Sequence, residues 1–294
     1  MTTRGGRTLV TVTLIAAGRL DDRLLGEALR RVPGAAFASW IDEGDAADLN
    51  VADASEARAA FERWEGCDII VDPPRRGVGL FVADMDSTMI GQECIDELAD
   101  FAGVKAEVAA ITERAMRGEL DFASALSERL ALLEGLAVGT VDRCLAERIR
   151  HNPGAATLVG TLAANGAHTL LVSGGFTEFV GPVAAALGFA EFRANRLGRD
   201  GARLSGKAVG PIVDGAAKRA ALVEARARLG IGAESVVAIG DGANDLPMIA
   251  EAGLGVAFRA KPVVAAAADA RLDHHPLDAL LWAFGLPRRA WVEA

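Results

Sequence analysis

The sequence contains no tyrosine, and aromatic residues make up only 5% of its 294 positions. A chain so poor in aromatic side chains offers few platforms on which nucleobases could stack. The formal net charge of -9 at pH 7 also disfavours a broad surface for nucleic acid or an anionic membrane. We therefore expect no nucleic acid and no membrane among its partners.

Cysteine is scarce as well, and Cys67, Cys94 and Cys144 form no CxxC pair. This argues against a disulfide scaffold or a cysteine zinc site and fits a reducing cytoplasm, which is the expected location.

Hydrophobic residues make up 51% of the chain, but no uncharged apolar run reaches the roughly 18 residues of a membrane helix. We expect Cys94, in the apolar context ECIDELA, to pack in a core.

A stretch rich in proline divides the chain. Residues 72–77, Asp-Pro-Pro-Arg-Arg-Gly, stand between apolar runs and predict a linker. We expect one domain over residues 1–74 and a second over residues 75–294. In the first, a β-branched run, further short strand-like runs and segments with helical spacing predict the order β-α-β-β-α-β, which is typical of a ferredoxin-like α+β domain.

Beyond the linker, strands alternate with helices. The predicted strands are GLFVAD, HTLLVS, SVVAIGD, LGVAF and ARLD. This alternation predicts an α/β fold with a Rossmann-like, doubly wound parallel sheet. Residues 94–151 interrupt it with several amphipathic helices and no good strand, so we expect a helical insertion packed over the sheet edge.

Two acidic motifs follow predicted strands, where open parallel sheets bind ligands. The first is Asp84-Met85-Asp86-Ser87-Thr88, and the second is Gly240-Asp241-Gly242-Ala243-Asn244-Asp245. By itself the first could be a turn with an Asp helix cap. A glycine-rich turn would explain the glycines of the second motif, but not two Asp and one Asn together.

Two further features add hydrogen-bond donors. Ser173-Gly174-Gly175 follows the strand HTLLV and could cradle a phosphate, and Lys218 lies at the start of a predicted helix. Alone, the first is usually a plain loop and the second a solvated lysine. The fold could bring all four features to one rim, where they would supply the groups needed for phosphoryl transfer through an aspartyl-phosphate.

In this order, DMDST, SGG, Lys218 and GDGAND resemble the haloacid dehalogenase superfamily of phosphotransferases. More closely, the chain is similar to its phosphoserine phosphatase family in the segments DMDSTMIGQECIDELA, TERAMRGELDFASALSERLALLEG, SGGFTEF and AIGDGANDLPMIAEAGLGVAFRAKP. The similarity covers roughly residues 80–265. The element order of residues 1–74 resembles the ACT-like domains found ahead of some members.

The resemblance implies a phosphatase that uses Mg²⁺. Asp84 would attack phosphorus, and Asp86 would act first as general acid and then as general base. Mg²⁺ would be held by the carboxylates of Asp84 and Asp241 and by the backbone carbonyl of Asp86. Asp245 and Asn244 would orient the metal's waters or the phosphate.

The resemblance also implies the groups that bind the substrate. The phosphate oxygens would contact Ser173, Gly174, Gly175 and Lys218. Glu93 would pair with an α-ammonium, Arg129 would grip an α-carboxylate, and Met116 and Phe122 would form an apolar lid. From helical periodicity alone Arg129 would face water, so its role depends on the resemblance.

The expected activity is hydrolysis of O-phospho-L-serine to L-serine and phosphate, the last step of serine biosynthesis. One alternative is a capped phosphatase of the same superfamily for phosphothreonine or a sugar phosphate. Another is an amino-acid-responsive regulatory protein. The partners considered beyond the substrate are a second copy in a homodimer and an amino-acid ligand at the N-terminal domain.

We expect His274-His275 to form a surface turn rather than a metal pair.

Overall fold

The computed structural model of the chain describes residues 3–4, 7–62, 64–74, 77–116 and 119–293. Two short strands, β1 (Thr3–Arg4) and β2 (Arg7–Thr8), pair with each other ahead of the main body. The rest is organised around a four-stranded antiparallel sheet and a seven-stranded, mostly parallel sheet. Arg75 and Arg76 of the predicted linker lie outside the described residues.

The four-stranded sheet has the predicted element order. Its elements are β3 (Val10–Leu20), α1 (Asp22–Arg31), β4 (Ala36–Asp42), β5 (Gly44–Val51), α2 (Ala54–Phe61) and β6 (Asp68–Val71). The strands lie in the order β4-β5-β3-β6, and every pair is antiparallel. Asp21 and Asp53 cap the two helices by accepting hydrogen bonds from backbone amides in the first turn.

Both faces of this sheet are covered, because alternate residues of β3 point to opposite sides. Val12 and Leu14 pack in the core beneath α1 and α2. Ile15, with Ala46 of β5 and Ile70 of β6, joins the main core of the larger sheet instead. The two sheets are therefore joined by continuous apolar packing.

The larger sheet carries the predicted parallel strands. Its strands are β7 (Leu80–Ala83), β8 (His168–Phe176), β9 (Glu191–Asp200), β10 (Arg203–Val209), β11 (Val236–Gly240), β12 (Leu254–Phe258) and β13 (Ala270–Leu272). They lie in the order β10-β9-β8-β7-β11-β12-β13, and only β10 is antiparallel to its neighbour. The α/β fold with a parallel sheet is confirmed.

The hairpin β9–β10 was absent from the predicted strands, because residues 191–209 carry several charged side chains. Asp200-Gly201 was the available signal, since an Asp-Gly pair flanked by alternating residues is typical of a tight hairpin. Gly201 adopts φ +58°, which a glycine accommodates without strain.

Helices dominate the segment between β7 and β8, as predicted. They are α3 (Cys94–Ala102), α4 (Lys105–Met116), α5 (Phe122–Ala131), α6 (Gly139–Arg148) and α7 (Ala155–Ala164). The later helices are α8 (Thr177–Leu187), α9 (Gly215–Leu229), α10 (Leu246–Glu251), α11 (Pro262–Ala267) and α12 (Leu280–Ala283). Among the described residues, no helix is long and apolar enough to cross a bilayer.

A buried carboxylate ties the two sheets together. Asp68 of β6 accepts hydrogen bonds at 2.8 to 3.2 Å from the consecutive backbone amides of Asp273, His274 and His275. The His275 ring donates from Nδ1 to the same carboxylate at 2.7 Å and accepts the Ala17 amide at Nε2. The expectation of a surface turn was therefore wrong for His275, which is buried, although His274 is exposed.

We predict that Asp68→Ala lowers the free energy of unfolding by about 3 kcal/mol or more, because it leaves several buried donors without an acceptor. Urea unfolding measures the change. The matched control is Glu43→Ala, an exposed acidic residue of the same domain, which should shift stability by less than about 0.5 kcal/mol. Equal effects of the two variants would contradict the role assigned to Asp68.

Candidate active site

The first motif forms a tight loop at the end of β7. Asp84 is buried, and its amide donates to the Ile239 carbonyl of the neighbouring strand β11 at 3.0 Å. Ser87 adopts φ +56°, an unusual value for a residue with a Cβ, and its hydroxyl donates to Glu93 at 2.8 Å. Thr88 donates to Asp241 Oδ1 at 3.2 Å and so links the two acidic motifs.

A fully buried lysine holds the centre of the site. The Lys218 ammonium donates to Asp84 Oδ1 at 2.5 Å and to Asp245 Oδ1 at 2.6 Å. The other Asp245 oxygen accepts the amides of Asp241 and Gly242 at 3.1 and 3.0 Å. Asp245 is thus an organising group whose two oxygens are both occupied by protein donors.

Gly240 makes this packing possible. A Cβ on Gly240 would lie 2.5 Å from the Asp245 carboxyl carbon, closer than any side chain could tolerate. The first glycine of the second motif is therefore required by the close approach of the Asp245 side chain, independently of any ligand.

Three carboxylates converge near Lys218. Asp84, Asp241 and Asp245 each offer an oxygen within 4.8 Å of the others. Burial, reinforced by Asp245, raises the pKa of Asp84 well above its usual range, even though Lys218 opposes the rise. Burial likewise raises the pKa of Asp241 to about 6. A cation between these carboxylates would lower both pKa values, so the electrostatics of the site favour cation binding.

Asp86 is half-buried and has one orphaned oxygen. Burial and the nearby Glu93 raise the pKa of Asp86 to about 8, although Cys94 opposes the rise. Within the described part of the chain, Asp86 Oδ1 is buried without a hydrogen-bond partner. A carboxyl group in this state can carry a proton at neutral pH and deliver it to a bound ligand. Cys94 is buried as expected, but it also lies against this carboxylate.

The Ser173-Gly174-Gly175 segment lies at the end of β8. Ser173 is buried, and its Oγ accepts the Gly175 amide at 2.8 Å. A Cβ on Gly174 would lie 2.8 Å from Phe122 Cζ, so only glycine allows α5 to approach this closely. The predicted phosphate cradle and the predicted apolar lid residue Phe122 are therefore in direct contact.

A residue that sequence analysis missed holds this segment in place. Asn195, buried in β9, donates from Nδ2 to the Gly174 carbonyl and accepts the Val213 amide at Oδ1, both at 2.8 Å. Val213 precedes Asp214, whose carboxylate caps the helix that carries Lys218. One amide side chain thus connects two predicted phosphate-binding segments. The tripeptide Ala-Asn-Arg in the sequence carries no signal for this contact.

Helices α3 and α5 also contribute to the wall of the site. Arg129 is partly buried, and its Nε donates to the Ala125 carbonyl at 3.2 Å within α5. Burial lowers the pKa of Arg129, while Asp96, Glu93 and Asp86 oppose that change. The guanidinium therefore faces the carboxylates of this cavity. The Met116 side chain lies outside the described part of the structure.

Together these groups enclose a cavity of about 220 Å³. Its lining includes the predicted residues Asp84, Asp86, Glu93, Phe122, Arg129, Ser173, Gly174, Gly175, Asp241 and Asn244. The buried Lys218 and Asp245 support this lining through their hydrogen bonds. Lining residues that the sequence analysis did not single out include Asp96, Thr112 and Lys261. The cavity has the size and polarity for a small charged ligand.

Comparison with known proteins defines the class. The family described as haloacid dehalogenase-like hydrolase matches residues 81–250, which span the acidic motifs and the helices between them. The chain belongs to this family.

Individual relatives are more specific. A phosphoserine phosphatase of Albidiferax ferrireducens is 49% identical over 210 residues, covering 70% of this chain and 89% of the relative. One from Streptomyces coelicolor is 41% identical and covers 98% of this chain and 73% of the relative. Among solved structures, a probable phosphoserine phosphatase from Vibrio cholerae superposes with a TM-score of 0.78 at 30% identity, covering 97% of this chain and 88% of that one.

We predict that Asn195→Ala lowers kcat/KM for a phosphate ester about tenfold, because the Gly174 carbonyl and the Val213 amide lose their shared partner. The matched control is Asn165→Ala, since Asn165 also donates to a backbone carbonyl, but at the end of α7. Steady-state kinetics and thermal unfolding of both variants separate the effects. A control that loses as much activity as Asn195→Ala would contradict a positioning role.

Proposed function

We propose that this chain is an Mg²⁺-dependent phosphoserine phosphatase that hydrolyses O-phospho-L-serine to L-serine and phosphate. The observation that carries the proposal is one small cavity whose lining combines Asp84, Asp86 and Asp241 with Glu93 and Arg129. The three aspartates suit a phosphoryl group with its metal ion, and Glu93 and Arg129 suit the charged groups of an amino acid. The similarity to phosphoserine phosphatases supports the same substrate and a role in the last step of serine biosynthesis.

The site residues fit Mg²⁺. Asp84 and Asp241 supply hard carboxylate oxygens close together, and a cation beside them would lower the pKa values that burial raises. With the Asp86 backbone carbonyl they would supply the protein ligands of the ion. When bound, Mg²⁺ would neutralise charge on the phosphoryl oxygens and reduce repulsion between the phosphate and the attacking carboxylate.

Asp84 would be the nucleophile. It follows a rigid strand end, and Lys218 holds Oδ1, which fixes the orientation of the carboxylate. Attack on phosphorus would form an aspartyl-phosphate and release the serine oxygen. Lys218 would also stabilise negative charge next to the reacting atoms.

Asp86 would act as general acid and then general base. Its raised pKa allows it to hold the proton that the departing serine oxygen needs. The orphaned Oδ1 would gain its partner when the leaving group binds. After proton transfer the same carboxylate would take a proton from the water that hydrolyses the aspartyl-phosphate.

The remaining groups would orient the substrate. The phosphate oxygens would be held by Ser173, Gly174, Gly175, Lys218 and Asn244. Glu93, hydrogen-bonded to Ser87, would receive the α-ammonium, and Arg129 the α-carboxylate. Met116 and Phe122 would cover the small substrate. Asp245 would hold the Lys218 ammonium and the Asp241 backbone in place by accepting a hydrogen bond from each.

Three parts of the chain would divide these tasks. Residues 75–294 would form the phosphatase core, and residues 94–151 its helical cap, which would close over the substrate and exclude water. Residues 1–74 would form an ACT-like domain that binds an amino acid or a second copy of the chain in a homodimer. We place the protein in the cytoplasm, where its three free cysteines would stay reduced.

We predict that the purified chain releases inorganic phosphate from O-phospho-L-serine only when Mg²⁺ is present, and that Asp84→Asn lowers kcat by about a thousandfold or more. The measurement is phosphate release with Mg²⁺ or with a chelator. Asp142→Asn, which alters an exposed aspartate of α6, is the matched control and should keep full activity.

Two outcomes would overturn parts of this proposal. Full activity of Asp84→Asn would remove the covalent mechanism. Faster turnover of phosphothreonine or a sugar phosphate across a panel of esters would replace phosphoserine as the substrate while leaving the class of enzyme unchanged.

We predict that Arg129→Ala raises KM for O-phosphoserine about tenfold to a hundredfold, because the α-carboxylate loses a bidentate partner. KM for p-nitrophenyl phosphate, which has no carboxylate, should change by less than about twofold. Arg129→Lys keeps the charge without the planar fork and should give an intermediate KM. Equal losses on both substrates would contradict a selective contact.

A further inference from the structure

Lys261 lies at the edge of the candidate active site. It follows β12 and directly precedes α11, and its backbone amide donates to the Asp241 carbonyl at 3.0 Å. This hydrogen bond holds the Lys261 backbone beside the second acidic motif. The Lys261 side chain is exposed and forms part of the cavity wall.

Carboxylates dominate the wall of this cavity. Five acidic side chains line it, namely Asp84, Asp86, Glu93, Asp96 and Asp241. Among the described lining residues, the cationic side chains are Arg129 and Lys261. The Lys218 ammonium is fully buried and shared between two carboxylates. Even with Asp86 protonated at neutral pH, a phosphate ester approaching from solvent meets more acidic than basic side chains in this wall.

The two cations of the wall are carried by different parts of the fold. Arg129 belongs to α5, with its Nε hydrogen-bonded within that helix. Lys261 is anchored by its backbone amide to the Asp241 carbonyl. It thus borders the second acidic motif, beside which the phosphoryl group would bind, while Arg129 belongs to α5.

We propose that Lys261 is a phosphate-attracting residue at the cavity rim, which offsets the acidic wall for an incoming phosphate ester and for product phosphate. The inference deepens the proposed function and depends on it for the choice of substrate. An exposed ammonium on a flexible stem acts on the encounter and on ground-state binding. We therefore expect its effect in KM and in phosphate affinity, with little change in kcat.

The experiment compares Lys261→Met with the unaltered chain at about 20 mM and about 300 mM salt. At low salt the variant should show KM for O-phosphoserine raised about threefold to fivefold, with kcat within about twofold. The inhibition constant for inorganic phosphate should rise by a similar factor. At high salt the difference should shrink, because exposed charges are screened.

Two further variants control for charge and fold. Lys261→Arg retains the charge and should keep the original KM. Lys105→Met removes an exposed lysine at the start of α4, outside the cavity lining, and should change nothing. The proposal is overturned if Lys261→Met lowers kcat at unchanged KM, leaves both constants unaltered, or matches Lys105→Met.

A binding measurement separates this inference from the proposed function. Inorganic phosphate should raise Tm of the unaltered chain more than Tm of Lys261→Met in the absence of Mg²⁺. If O-phosphoserine is not turned over but this difference is present, the proposed substrate is wrong and the role of Lys261 stands. Equal phosphate-induced shifts of Tm in the two proteins would overturn the role of Lys261.

Discussion

The buried ion cluster of Lys218, Asp84 and Asp245 is the constraint on which the site depends. Charges sealed from water are stable only when each is paired, and here one ammonium serves two carboxylates at 2.5 and 2.6 Å. Asp245 also accepts hydrogen bonds from the amides of Asp241 and Gly242, so the second acidic motif is held by the same cluster. The ends of β7 and β11 and the first turn of α9 are thereby held together.

The parallel sheet brings these groups together because its strands end at a common edge. Asp84, Ser173 and Asp241 follow or end three neighbouring strands. Asn195 adds a contact from the next strand, β9. Its side chain joins the segment that carries Gly174 to the segment that leads into α9. The geometry around the cavity is thus set by hydrogen bonds between loops, supported by strands that are buried on both faces.

The smaller sheet is coupled to the larger one by packing and by a buried carboxylate. Ile15 and Ile70 belong to the main core, and Asp68 binds the amides just beyond β13. A second contact runs from Asp42 to the Trp282 indole at 2.7 Å. Ala260 and Pro262, on either side of Lys261, line a second cavity whose wall also includes Asp68 of β6. The loop that carries Lys261 therefore lies between this second cavity and the active-site cavity.

The sequence by itself determined the parallel strands, the helical segment after the first of them, the order of the N-terminal elements and the acidic motifs, because periodicity and motif spacing are local properties. It did not determine Asn195, Lys261 or the junction of Asp68 with His275, and it missed the β9–β10 hairpin. Their roles arise between residues far apart in the chain: 21 positions separate Asn195 from Gly174 and 207 separate Asp68 from His275. Only the tertiary structure decided these contacts, because a polar side chain acquires its partner when packing removes both from water.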